Sequence, residues 1–162
     1  MFQKMIVGYD GSEGSRVALL KAIGLMQHSQ NSKLIVAYVN EDVVGGEIAY
    51  TGQQLQSSPV ATDMTMVPPI NSMDESPRQL AREYAVQMSE SIREQLDKHQ
   101  IIADIVAIDG HPTQALSEMA DKEHADLIIV GNSGKSGFQK FFVGSVSEKL
   151  IKESPCSVLV IK

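Results

Sequence analysis

Five short aliphatic runs alternate along the chain with segments of helical periodicity, and this alternation narrows the possible folds more than any other feature. Strands separated each time by an amphipathic segment are the pattern of parallel strands joined by crossover helices, which predicts an α/β fold. The runs KMIVGY (residues 4 to 9) and KLIVAYV (33 to 39) are apolar at nearly every position rather than at every second one. Strands of that kind are expected to be covered on both faces.

The intervening segments carry helical signals. Residues 13 to 29 set Val17, Leu20, Ile23 and Leu25 or Met26 near helical spacing, with Ser12 positioned to cap the start. Residues 76 to 99 set Leu80, Tyr84, Met88, Ile92 and Leu96 at intervals of four, with Ala81 and Ala85 alongside, the clearest helix in the chain. A third strand, ADIVAI (103 to 108), precedes Gly110-His111-Pro112. Pro112 suits the first position of a helix that turns Leu116, Met119 and Ala120 inward and runs to about His124. Strand four is DLIIVG from Asp126, and strand five runs from Cys156 to the end. Between them a short helix begins near Ser145 and carries Val146, Leu150 and Ile151.

Residues 40 to 75 break the alternation, being rich in Gly, Ser, Gln, Thr, Met and Pro, with Pro59, Pro68 and Pro69 interrupting any regular element. They are expected to form a long flexible excursion, either functional or without a role of its own. The remaining length suits a single domain, since 162 residues are enough to close one core and too few to ask for two.

Charge and cysteine content exclude several functions. Lys and Arg number 14 against 20 Asp and Glu, a net charge of −6, so the broad field repels polyanions and nucleic acid is not an expected partner. A local anion site is compatible with that charge, because backbone N–H groups and a helix dipole bind phosphate without net positive charge. The single Cys156 forms neither an internal disulfide nor a thiolate metal site, which points to a reducing compartment, the cytoplasm. The N-terminal MFQKMIVGYDGS has only MIV before Gly8, too short for a signal peptide, and no apolar stretch approaches the ~20 residues that cross a bilayer.

The segment after strand four, GNSGKSGFQKFFVGSVSEKL, carries the chemistry. Gly131, two residues, Gly134, nine residues, then Gly144-Ser145 is a spacing that suits a phosphate cradle. A glycine at the strand end is expected to turn with positive φ and to let N–H groups approach an anion without a Cβ between. Gly144-Ser145 opening a helix adds free N–H groups, the positive dipole end and a hydroxyl. A P-loop is excluded, because the glycine it needs five residues before Gly134 is Ile129. The G-x-G-x-x-G fingerprint fails too, the glycines being Gly131, Gly134 and Gly137.

G-x2-G-x9-G-[S/T] after such a strand resembles the nucleotide-binding signature of universal stress proteins. The resemblance extends over most of the chain in VGYDGSEGS, GHP, ADLIIVG, GSVSEKL and the ending SPCSVLVIK, leaving out only residues 40 to 75. It implies an open, doubly wound, Rossmann-like sheet of five parallel strands in the order 3-2-1-4-5, with the turns at Asp10 and Gly131 facing each other across one crevice. It further implies ATP as ligand. Asp10 matches the family acid on the ribose or base side, although an ordinary helix-capping turn also explains Asp10-Gly11. Val39 matches the residue whose backbone meets the adenine. Gly131, Gly134, Gly144 and Ser145 match the phosphate positions, flanked by Val130 and Val146. Lys135 and Lys140 read as solvated lysines, and Ser12 serves equally as N-cap or phosphate contact.

The implied function is a nucleotide-regulated stress-response or signalling module. No nucleophile and base pair, metal-ligand cluster or paired carboxylates can be read from the sequence. A divalent ion, Mg2+ or Mn2+, would bridge the phosphates near Asp10 or Ser145, but Asp10 is expected on the nucleoside side, so any ATP hydrolysis is expected to be slow. A slow ATPase or phosphotransfer enzyme, and a dimeric interaction module without nucleotide, are the alternatives. The terminal run SVLVI is apolar and β-branched and is expected to stand as an edge open to pairing; the resemblance implies a homodimer through this strand.

Overall fold

The computed structural model describes residues 2–29, 31–40, 76–132 and 144–162. Its elements follow in the order β1 (Lys4–Tyr9), α1 (Glu13–Gln27), β2 (Lys33–Asn40), α2 (Ser76–Lys98), β3 (Asp104–Asp109), α3 (Pro112–Glu123), β4 (Leu127–Gly131), α4 (Ser145–Glu153) and β5 (Ser157–Ile161). All five strands are parallel and lie in the order β3-β2-β1-β4-β5. Apart from Asn40, which ends β2, the expected excursion falls outside the described residues.

The continuous apolar runs are explained by two layers of helices. One core unites Met5, Val7 and Tyr9 of β1 with Ala18, Leu19, Ala22 and Ile23 of α1 and Ile92 and Leu96 of α2. The other unites Ile6, Ile35, Ala37, Ile128 and Val130 with Leu116 and Ala120 of α3 and Leu150 of α4. Successive β1 side chains enter opposite cores, so a one-residue register slip would exchange them. Parallel pairing aligns Ile6 with both Ile35 and Ile128 at the centre of the sheet. At the outer edges β3 and β5 are only partly covered, which matches their position rather than their composition.

Helix α1 departs from the expected face. Leu20 is 42% exposed and Leu25 37%, whereas Ser15, Ala18, Leu19, Ala22 and Ile23 are buried. Small residues let this helix lie close to the sheet, and that close seat outweighs the spacing of the larger side chains. Helix α3 begins with Pro112 as anticipated, and His124 ends it in the left-handed conformation. Cys156 precedes β5 rather than lying within it and is half-buried beside Ser154, not a fully buried strand residue. Among the described residues no helix is long and apolar enough to cross a membrane.

Candidate functional site

The winding reverses between β1 and β4, neighbours that are far apart in sequence, and their carboxyl ends open the crevice where such folds receive ligands. After Tyr9 the chain bends through Asp10 and Gly11, whose φ of +75° favours glycine. Oδ1 of Asp10 accepts the Ser12 amide proton at 3.0 Å. The Ser12 hydroxyl then caps α1 by accepting the Ser15 amide proton at 3.2 Å, and the Ser15 hydroxyl donates to the Ser12 carbonyl at 2.9 Å. This is the capping turn that Asp10-Gly11 allowed. Partial desolvation pushes the Asp10 carboxyl up, but hydrogen bonding from the Ser12 hydroxyl and amide outweighs it and holds the group below its ordinary 3.8. Asp10 therefore presents an ionised carboxylate at the rim.

Gly131 meets this turn, though not by the expected conformation. It closes β4 without a positive φ; among the described glycines, Gly11 and Gly110 have that geometry. Gly131 is instead required by proximity, because an added Cβ would stand 2.4 Å from the carbonyl carbon of Gly14 and 2.7 Å from the Ser15 nitrogen. The end of β4 thus lies directly against the first turn of α1. Val130, expected beside the cradle, turns its side chain into the core under α3 and α4 and is 5% exposed, leaving only its backbone at the crevice. Val146 is half-buried against the same core.

Two hydrogen bonds fasten the start of α4 to this point, and a third ties the point to the end of β5. The Gly144 amide donates to the Asn132 carbonyl at 2.9 Å, the Asn132 amide to the Ile161 carbonyl at 2.7 Å, and the Ser147 hydroxyl to the Gly131 carbonyl at 2.9 Å. Gly144 is the N-cap of α4, extended at φ −60° and ψ 154°, and supplies no side-chain cap. The amides of Ser145, Val146 and Ser147 accordingly have no acceptor within the helix. Ser145 adds an exposed hydroxyl. Helix α1, by contrast, has one of its donors satisfied by Ser12. A helix start whose own N-cap residue supplies no side-chain acceptor, set at the carboxyl end of β4, has the dipole sign to hold an anion.

The structure thus brings together Gly131, Gly144, Ser145 and the turn opened by Asp10. Val39 sits at the carboxyl end of β2, aligned with Ile108, one residue beyond Tyr38, which is aligned with Tyr9. Gly134 lies outside the described residues. Sequence reasoning passed over Gly11, Asn132 and Ser147. The Asp-Gly pair signalled the first, but nothing in the local pattern marks Asn132 and Ser147, whose partners are residues apart in sequence. Among the described residues no group of three His, Cys, Asp or Glu converges as a metal site.

The universal stress protein family model matches residues 1–162. Stress response protein NhaX of Bacillus subtilis (strain 168) is 32% identical over 163 residues, covering 98% of this chain and 97% of that protein. Universal stress protein UspA from Lactobacillus plantarum superposes with a TM-score of 0.74 at 19% identity, covering 99% of this chain and 97% of that one. A universal stress protein solved in complex with cAMP gives 0.64 at 23% identity, over 99% and 97%. With its full length matched, the chain belongs to the universal stress protein family.

Proposed function

We propose that the chain binds an adenine nucleotide, ATP, in the crevice between the Asp10 turn and the start of α4, and acts as a nucleotide-regulated stress-response module. The observation that carries this reading is the start of α4: Gly144 offers no side-chain cap to the amides that follow, and the Ser147 hydroxyl ties that first turn to the Gly131 carbonyl at the end of β4. The phosphates lie on Gly131, Gly134, Gly144 and Ser145, with the backbone of Val130 and Val146 on either side. Asp10 faces the ribose and the Val39 backbone faces the adenine. A related fold with cAMP bound supports the adenine nucleotide class.

Mg2+ or Mn2+ would be held chiefly by phosphate oxygens and water, with the Ser145 hydroxyl nearby and Asp10 on the nucleoside side. Asp10 already accepts from Ser12 and is anionic, so it anchors better than it abstracts a proton, and any hydrolysis is slow. The whole chain acts as one nucleotide-binding domain in the cytoplasm, and two copies pair through β5.

Thermal unfolding with added ATP tests the reading. At about 100 times its dissociation constant a ligand adds roughly 2.7 kcal/mol of stability, which is about 5–11 °C in Tm for a chain of this length. An unchanged Tm in millimolar ATP would contradict it.

A further inference from the structure

Helix α2 touches the crevice through two side chains that the nucleotide-binding signature does not include. The Tyr9 hydroxyl, on a residue 1% exposed, shares a hydrogen bond of 2.9 Å with the Ser91 hydroxyl. One turn earlier, Met88 lies over Gly11: an added Cβ there would be 2.9 Å from Cε and 3.1 Å from Sδ of Met88. These contacts fall on the residues immediately before and after Asp10. The turn that aims the carboxylate is therefore held from below by the capping bonds of α1 and from the side by α2.

The core-facing positions described along α2 are unequally covered. Ile92 and Leu96 are buried at 0% and 4% exposure, whereas Met88 and Ala85 on the same face are half-covered. Met88 and Ser91 stand just before the fully buried Ile92, and Met88 is covered less than it. A partly covered contact next to a fully buried one is the more easily shifted of the two.

We propose that Met88 is a positioning residue for the nucleotide: through Gly11 it fixes the Asp10 turn, so occupancy of the crevice and seating of α2 favour each other. The inference rests on the nucleotide reading above. Coupling between binding events is reciprocal, so if a seated α2 tightens ATP binding, bound ATP must steady α2 by the same factor. Met88 does not touch the ligand in this scheme. Its thioether fills the space that Gly11 leaves, and shortening it removes the lateral support while the capping bonds remain.

The test compares ATP titrations and amide hydrogen exchange in the wild type, Met88→Ala, Met88→Leu and Ile92→Val. Met88→Ala is expected to weaken ATP binding about tenfold, within the usual range of coupling between sites. Met88→Leu, which nearly conserves volume, restores wild-type affinity. Ile92→Val, one turn along the same helix, lowers Tm without changing affinity. ATP slows exchange of α2 amides near residues 88 to 92 in the wild type and does so much less in Met88→Ala. If Met88→Ala does not fold, Ser91→Ala cuts the other tether and should weaken binding in the same direction. ATP binding that is equal in the wild type, Met88→Ala and Ser91→Ala, or α2 exchange indifferent to ATP, overturns this coupling and leaves the nucleotide reading intact. Failure of the wild type to bind ATP overturns both.

Discussion

An alanine at Gly131 would set its Cβ 2.4 Å from the Gly14 carbonyl carbon, 2.6 Å from the Gly14 oxygen and 2.7 Å from the Ser15 nitrogen. Carbon atoms rest about 3.5 Å apart, so the first turn of α1 or the end of β4 has to retreat by roughly 1 Å. All three opposing atoms are backbone, and no rotamer change relieves the contact. The moving helix carries Ala18, Leu19, Ala22 and Ile23 in the core shared with α2, so the displacement is transmitted to well-packed side chains. Overpacking of a core costs about 1–3 kcal/mol, and rigid opposing atoms put this case near 3. For a chain of this length that corresponds to roughly 6–12 °C in Tm. Gly24→Ala is the internal control. Gly24 lies inside α1 with nothing within 4 Å of an added Cβ, and the change should stabilise by about 0.5–1 kcal/mol. Both variants are measured by thermal unfolding followed by circular dichroism without nucleotide. A Gly131→Ala Tm within about 2 °C of wild type would refute the packing argument. If the argument holds, lost ATP binding in Gly131→Ala does not by itself identify a phosphate contact.

Other expectations follow from the same geometry. Gly144→Asp adds a side-chain cap at a φ of −60° that any residue adopts, so α4 should keep or gain a few tenths of a kcal/mol in thermal unfolding, and a clear loss would contradict the cap assignment. The Asp10 carboxyl is held below its ordinary 3.8, so its charge contributes stability above that pH and loses it as pH falls through the lowered value. Asp10→Asn keeps an acceptor for the Ser12 amide but removes the titration, and its stability should fall less steeply below about pH 4 than that of the wild type. Superimposable acid limbs would count against this. Pairing through β5, whose Leu159 is 37% exposed, predicts a dimer by light scattering at micromolar concentration, and a monomer there would remove that proposal.

The fold was legible because its strongest signals are local. Continuous apolar strands, helical spacing in α2 and Pro112 at the start of α3 each state their element within a few residues. Strand order is not local, and it came from resemblance rather than from periodicity. The face of α1 was misjudged for a physical reason: spacing of large side chains suggested Leu20, while Gly14, Ser15, Ala18 and Ala22 allow the close seat actually used. Gly131 illustrates the same limit at the site. Its glycine was visible and so was its neighbourhood, but the cause, a helix backbone drawn in from residues 14 and 15, depends on packing between distant segments. Asn132, Ser147 and Met88 were silent or read only as pattern, since their meaning lies in partners that the chain brings near only on folding.

Calorimetric titration of ATP into the wild type and into Gly144→Asp tests the central claim most directly. The variant sets a carboxylate over the amides proposed to hold phosphate, while its helix remains capped. The account predicts one saturable site per chain in the wild type and binding at least about tenfold weaker in Gly144→Asp, a loss of about 1.4 kcal/mol, with Tm retained. No saturable binding to the wild type, or equal affinity in the two proteins, would contradict it.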